Sequence, residues 1–363
     1  MTTVVEHVRD SRTTLRADLS PADALALSCL VYVDFHALPG PRSPRGCLLR
    51  EVAQASSIPS LYRYSLASHA DRPLLEAAGA SARFGGLRVR DAVTRLTSSP
   101  LAQFGAVTFI DEAGATYVVF RGTDASAVGW AEDARFGLDF PTDSQRWAAN
   151  YLAYAAARAD GPITVVGHSK GANLALYAAA AATPRALERV YAFDPVGFPT
   201  SVVDGGFFES INGLMHIYVT AGSWVSPLLP LPAPAIVVAS TWPGPLSHNP
   251  YAWRAEGPVL APDHRPPSRS GALLRRLLRA VLRARPTRLD INERIGPAGG
   301  HLGPSMRTWA RQHAGGPLIA HVSPMMCASA TPPTRMLRGL RAYQRVNVQV
   351  SGLTCDLSGQ QSE

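Results

Sequence analysis

Apolar positions along the chain change period several times, and each change predicts an element. Over residues 22–38, "ADALALSCLVYVDFHAL", they recur at helical spacing with Asp23 near the start, so a helix is expected. Residues 43–100 are mixed, with helices expected around "RPLLEAAGA" and "VRDAVTRLT". "AVTFIDEAGATYVVF" then reads as a hairpin, two apolar strands around the turn "DEAGA". "DSQRWAANYLAYAAARA" is a helix capped by Asp143 or Ser144. "ITVVG" is a short buried strand, "GANLALYAAAAA" a helix, and "RVYAFDPVGF" a strand ending in a loop. "LMHIYVTAGS" and "AIVVAS" are two further strands. Strands alternating with helices predict an α/β fold, a mostly parallel sheet with helices on both faces.

One junction in this series carries chemistry. In "TVVGHSKGANLALY" a β-branched strand meets a helix through Gly167-His168-Ser169-Lys170-Gly171. A nucleophile on a sheet has to be lifted at the carboxyl end of a strand, and a turn this tight leaves no room for side chains two positions to either side of it. That requirement explains Gly167 and Gly171 and makes Ser169 a candidate nucleophile. The competing reading is an ordinary turn serine. The helix after Ser169 points its positive end at a developing oxyanion.

Acyl transfer needs two backbone donors for that oxyanion. The residue after the nucleophile, Lys170, supplies one, and a loop after an earlier strand supplies the other. "YVVFRGTD" offers that loop: Gly122 lets the backbone turn close to a substrate, and the amide and hydroxyl of Thr123 then face the oxyanion. Asp124, Trp130, Glu132 and Asp133 follow. They are expected to brace the loop or to form a lid, because no further ligand stands at metal spacing.

The combination "FRGTD…GW…ED" and "GHSKGANLALY" resembles the class 3, fungal-type lipases of the α/β-hydrolases. It is more closely similar to a bacterial lipase-like family of unknown function, from about Asp23 to about Trp253. The resemblance implies an α/β-hydrolase with a Ser–acid–His triad in that chain order. Four histidines come late enough to be its base: His216, His248, His264 and His301. His216 lies mid-strand, His264 in a linker and His301 far into the tail. His248 sits in a turn-rich loop after "AIVVAS", in "SHNPYAW", which matches the family's His followed by Trp, and is the expected base. For the acid, Asp194 in "YAFDPVGF" ends the strand after the elbow helix. Its other reading is a brace for the turn before Pro195. Class 3 lipases more often place the acid one strand later, near "YVTAGSWVSP", where this chain has Ser223 and Ser226 but no carboxylate. Asp204 reads as surface. Asp194 is therefore the expected acid, and His168, which cannot easily fold back on its neighbour, is expected to be structural.

Charge divides the chain. Residues 264–363 hold 15 arginines and 4 acids, against 20 basic and 23 acidic residues in 1–263, within a total of +8. Lys170 is the only lysine. The shift falls at the Pro/Ser-rich "APDHRPPSRSG". The expected organisation is an N-terminal tail over 1–20, a hydrolase domain over 21–263 and a basic appendage over 264–363. Within the appendage "GALLRRLLRAVLRAR", residues 271–285, has two apolar rows and five arginines, an amphipathic helix suited either to an anionic membrane surface or to the hydrolase itself. From Pro286 on the composition reads as weakly ordered. The N-terminus has no apolar h-region, and no run spans a bilayer, so a cytoplasmic location with peripheral contact at the inner membrane face is expected. Four scattered cysteines fit reduced thiols. No cofactor, metal or nucleic-acid partner is expected. The function read from the chain is a serine esterase or lipase acting on an ester or lipid. A thioesterase or acyltransferase would use the same residues, and a non-catalytic hydrolase fold that binds a membrane or protein partner is the alternative.

Overall fold

The computed structural model describes residues 1–264 apart from Pro44, Ala134, Leu138 and Pro227. The elements in chain order are α1 (Val4–Asp10), α2 (Pro21–Leu30), the single turn α3 (Pro39–Arg42), β1 (Cys47–Leu48), α4 (Leu49–Ala53), α5 (Ser68–Ala80), β2 (Arg88–Ser98), β3 (Leu101–Ile110), β4 (Thr116–Phe120) and α6 (Ala127–Asp133). They continue with α7 (Asp143–Ala156), β5 (Ile163–His168), α8 (Lys170–Ala182), β6 (Leu187–Phe193), α9 (Thr200–Asp204), β7 (Met215–Thr220) and β8 (Ala235–Val238). A short hairpin, β9 (Ala255–Glu256) and β10 (Val259–Leu260), follows.

The first eight strands form one sheet in chain order. β1 to β4 pair antiparallel, and β4 to β8 pair parallel through helical or loop crossovers. Both faces are covered, so β4 and β5 are buried along their whole length. Tyr117, Val119 and Val166 face a core built with α1, α2 and α5, while Val118, Phe120, Ile163 and Val165 face the one under α7 and α8. This is the α/β architecture expected from the sequence.

Four local expectations are corrected. "VRDAVTRLT" is strand β2, not a helix. Its register against β3 runs from Arg88↔Ile110 to Ser98↔Leu101, with a shift between Arg90 and Val93 where Asp91 takes a φ of 56°. Pairing with the neighbouring hairpin outweighs the local helical spacing. Residues 1–20, expected as a tail, carry α1. Thr3 and Glu6 cap it reciprocally, and Val4 and Val8 are buried. His7 Nε2 meets Asp23 Oδ1 at 2.9 Å. Burial acts to raise the Asp23 carboxyl, but hydrogen bonds from His7, Arg83 and Ser20 outweigh it and hold the group at about 2. The helix expected over 22–38 ends at Leu30, and the cap of α7 is Thr142 rather than Asp143 or Ser144. The basic appendage, with its segment 271–285, lies outside the described residues.

Candidate active site

The parallel strands β4, β5 and β6 all end at one edge of the sheet, in register: Phe120 pairs with Gly167, and His168 with Phe193. Ser169 and Asp194 directly follow the ends of β5 and β6, and Gly122 lies two residues after the end of β4. Ser169 adopts φ 58° and ψ −126°, a conformation unfavourable to any residue with a Cβ. It is held there because its amide donates to Phe193 O at 2.9 Å and α8 starts immediately after it. A Cβ on Gly167 would stand 2.1 Å from the Gly171 carbonyl oxygen, and one on Gly171 would stand 2.3 Å from that of Phe120. Both obstacles are backbone, so neither can give way. The elbow geometry required at Gly167 and Gly171 is present.

The structure brings the three candidate relay residues together. His248 Nε2 lies 3.0 Å from Ser169 Oγ, and His248 Nδ1 lies 2.6 Å from Asp194 Oδ2. A carboxylate only accepts, so Nδ1 carries the proton and Nε2 is left with a lone pair toward the hydroxyl. Asp194 is fully buried. Burial acts to raise its pKa, yet the charge and hydrogen bond of His248, with the hydroxyls of Ser223 and Ser226, leave it lowered. Ser226 Oγ donates to Asp194 Oδ1. The segment "AGSWVSP", which supplies no acid, thus supplies the hydroxyls that hold one. The backbone after Asp194 is tied to the elbow helix: Asn173 Nδ2 donates to Val196 O and Gly197 O, each at 3.0 Å, and Gln145 Nε2 donates to Asn173 Oδ1 at 2.8 Å.

The loop carrying His248 is fixed from three sides. Trp253 Nε1 donates to Ser247 O at 2.9 Å, and the Thr220 and Ser247 hydroxyls are 2.7 Å apart. His168 supplies the third hold. Its Nε2 donates to the His248 carbonyl at 2.9 Å, and the two rings lie with centroids 4.7 Å apart. Burial, reinforced by the His248 charge, pushes the His168 pKa down to about 3, so the ring is neutral at neutral pH. His168 thus holds the His248 loop and makes no contact with the Ser169 hydroxyl among its hydrogen bonds.

The turn after β4 is pressed against Ser169. A Cβ on Gly122 would meet the Tyr32 hydroxyl at 2.4 Å and the His168 carbonyl at 2.8 Å, with Ser169 Cβ 3.5 Å away. Thr123 is buried, and its hydroxyl donates to Asp133 Oδ2 at 2.6 Å. Of the two Thr123 groups expected to face an oxyanion, the hydroxyl is engaged with Asp133. Burial pushes the Asp133 carboxyl up to about 6, against the Lys170 charge and the Thr123 hydrogen bond. Asp124 Oδ1 accepts from the Ser126 amide at 2.9 Å, and Glu132 pairs with Lys170. These acids brace the loop. Among the described residues no group of three or more His, Cys, Asp or Glu is arranged to hold a metal ion.

The rejected candidates lie apart from this cluster. His216 is on β7 with its ring 5.2 Å from that of Tyr191, Asp204 is exposed at the end of α9, and His264 is exposed. His301 lies outside the described residues. Sequence reading missed Asn173 and Gln103, whose hydrogen bonds to Gln145 and Gly197, and to Gly122, join positions far apart in the chain.

Comparison with known proteins decides the family. The Mbeg1-like family model matches residues 78–282, more than half of the chain. The chain belongs to the Mbeg1-like family. No curated protein matches it. Among solved structures, this Mbeg1-like chain is similar to a point mutant of MDLA from Penicillium cyclopium, at 17% identity over 60% of this chain and 77% of that one, with a TM-score of 0.40. M37 lipase is similar at 13% identity over 88% and 98%, TM-score 0.39. A triacylglycerol lipase from Penicillium expansum is similar at 12% identity over 63% and 82%, TM-score 0.36.

Proposed function

We propose that this Mbeg1-like chain is a serine hydrolase that cleaves carboxylic esters, of lipid or acylglycerol type, through an acyl-enzyme on Ser169. The observation that carries the reading is the unbroken relay from Ser169 Oγ through both nitrogens of His248 to a buried Asp194. As Oγ bonds to the acyl carbon, its proton passes to His248 Nε2. The carbonyl oxygen takes up the negative charge, and the amides of Lys170 and Thr123 receive it. Collapse breaks the ester bond, and the leaving alkoxide takes the proton from Nε2. Water then repeats the sequence on the acyl-enzyme and regenerates Ser169. Asp194 keeps the imidazole in the productive tautomer and offsets its transient charge. The lipid character of the substrate rests on the lipase-like family and on the cationic, leucine-rich sequence of 271–285, suited to an anionic surface.

The test is turnover of a soluble short-chain p-nitrophenyl ester by the wild type and by Ser169→Ala. A loss of about 10³-fold or more in the variant is expected. Equal turnover by the two proteins would overturn the proposal.

A further inference from the structure

The chain's only lysine stands beside Ser169 in the sequence. Lys170 follows the nucleophile, and its side chain is fully buried. An ammonium has three N–H donors, and here three acceptors meet them: the Gln103 carbonyl at 2.7 Å, Gln103 Oε1 at 3.1 Å, and Glu132 Oε2. No donor remains for a substrate, and no path to water is open. The cage is closed on itself, since the Gln103 amide donates to the same Glu132 oxygen at 2.8 Å. It also reaches the oxyanion turn, because Gln103 Nε2 donates to Gly122 O at 3.3 Å. Gln103 and Glu132 are themselves buried.

The two ends of this network are the two sides of the oxyanion hole. The Lys170 amide opens α8, and the Gly122 carbonyl belongs to the peptide unit whose N–H is that of Thr123. A rotation of that peptide would swing the Thr123 amide away from the substrate, and Gln103 resists it by holding the carbonyl. We propose that Lys170 is a positioning residue: through Gln103 and Glu132 its buried ammonium locks the Gly122–Thr123 peptide in register with the Lys170 amide. The inference rests on the serine-hydrolase reading above.

Two variants test it, each measured beside the wild type. Lys170→Met with Glu132→Gln removes both members of the ion pair together, so neither is left as the unpaired half of that pair. The expected result is a melting temperature close to that of the wild type, KM within about threefold, and kcat lower by roughly 10- to 100-fold, less than the loss of a whole oxyanion donor. Affinity for a trifluoromethyl ketone, whose hemiketal oxyanion mimics the intermediate, falls by the same factor as kcat. A merely structural pair would lower the melting temperature and leave this affinity unchanged in the folded fraction. Gln103→Met cuts the link to Gly122 with the ion pair kept, and decides the matter if the double variant does not fold. It should show the same selective loss of kcat. Wild-type kcat and ketone affinity in either folded variant would overturn the positioning role. A wild type that neither turns over ester nor binds the ketone would instead undo the hydrolase reading itself.

Discussion

Ser169 stands in a backbone conformation that costs a residue with a Cβ about 1–3 kcal/mol, and its surroundings enforce it. That makes the elbow sensitive to single atoms. A methyl on Gly167 meets backbone at 2.1 Å, so Gly167→Ala is expected to lower stability by about 1–3 kcal/mol or more, with loss of esterase activity, read by thermal melting and turnover. Asp194→Asn tests the relay. An amide at this position can donate to Nδ1 and select the wrong tautomer, so kcat should fall by about 10³- to 10⁴-fold while KM changes little. Full kcat in that variant would show that Asp194 is only a turn brace. At this scale the sequence is most legible where the chemistry is local: two glycines and a serine within five residues are dictated by one turn. It is least legible for Lys170, whose meaning depends on Gln103, 67 positions away. No periodicity or spacing records such a partner.

Elements position these residues by ending together. β4, β5 and β6 stop in register, and the loop after β8 returns His248 to the same edge through contacts from Thr220, Trp253 and His168. His168 makes that loop pH-sensitive. Its pKa is lowered from about 6.5 when unfolded to about 3 in the fold, so the unfolded chain binds the extra proton between these values. Its contribution is complete above pH 6.5 and is lost as pH falls toward 3, by roughly 3 kcal/mol at pH 4. His168→Phe removes this term. The variant should be less stable than wild type by about 1 kcal/mol at pH 8, from the lost hydrogen bond. The difference should shrink and reverse toward pH 4. Parallel stability curves from denaturant titrations across this range would contradict the assignment. Element type was legible for the parallel strands and for α7 and α8, where long apolar runs and alanine-rich periods are unambiguous. It failed at β2, whose nine-residue "VRDAVTRLT" carries helical spacing but sits beside a hairpin that offers it a ladder. It failed also at α1, where Val4 and Val8 are too few to announce a packed helix but bury completely against the sheet's α2–α5 face.

The whole molecule joins a mildly acidic 1–263 to a basic 264–363. The proposed relay residues Ser169, Asp194 and His248 all fall in the first part, so the proposed chemistry and the basic charge are separate along the chain. Among the described residues no helix is long and apolar enough to cross a membrane. We expect the full-length protein to sediment with anionic vesicles and to be released by salt, since exposed charges are screened within about 10 Å at 0.1 M. Removal of 264–363 should abolish sedimentation and leave turnover of a soluble ester largely intact. Equal binding to neutral and anionic vesicles would contradict an electrostatic role for the arginines.

The central claim is that Ser169 is an activated nucleophile. Incubation of the wild type with a fluorophosphonate, followed by peptide mass spectrometry, tests it most directly. The account predicts one stoichiometric adduct, on the peptide containing Gly167–Gly171 and localised to Ser169, with none in His248→Ala. An unlabelled wild type, or an adduct on another serine, would contradict it.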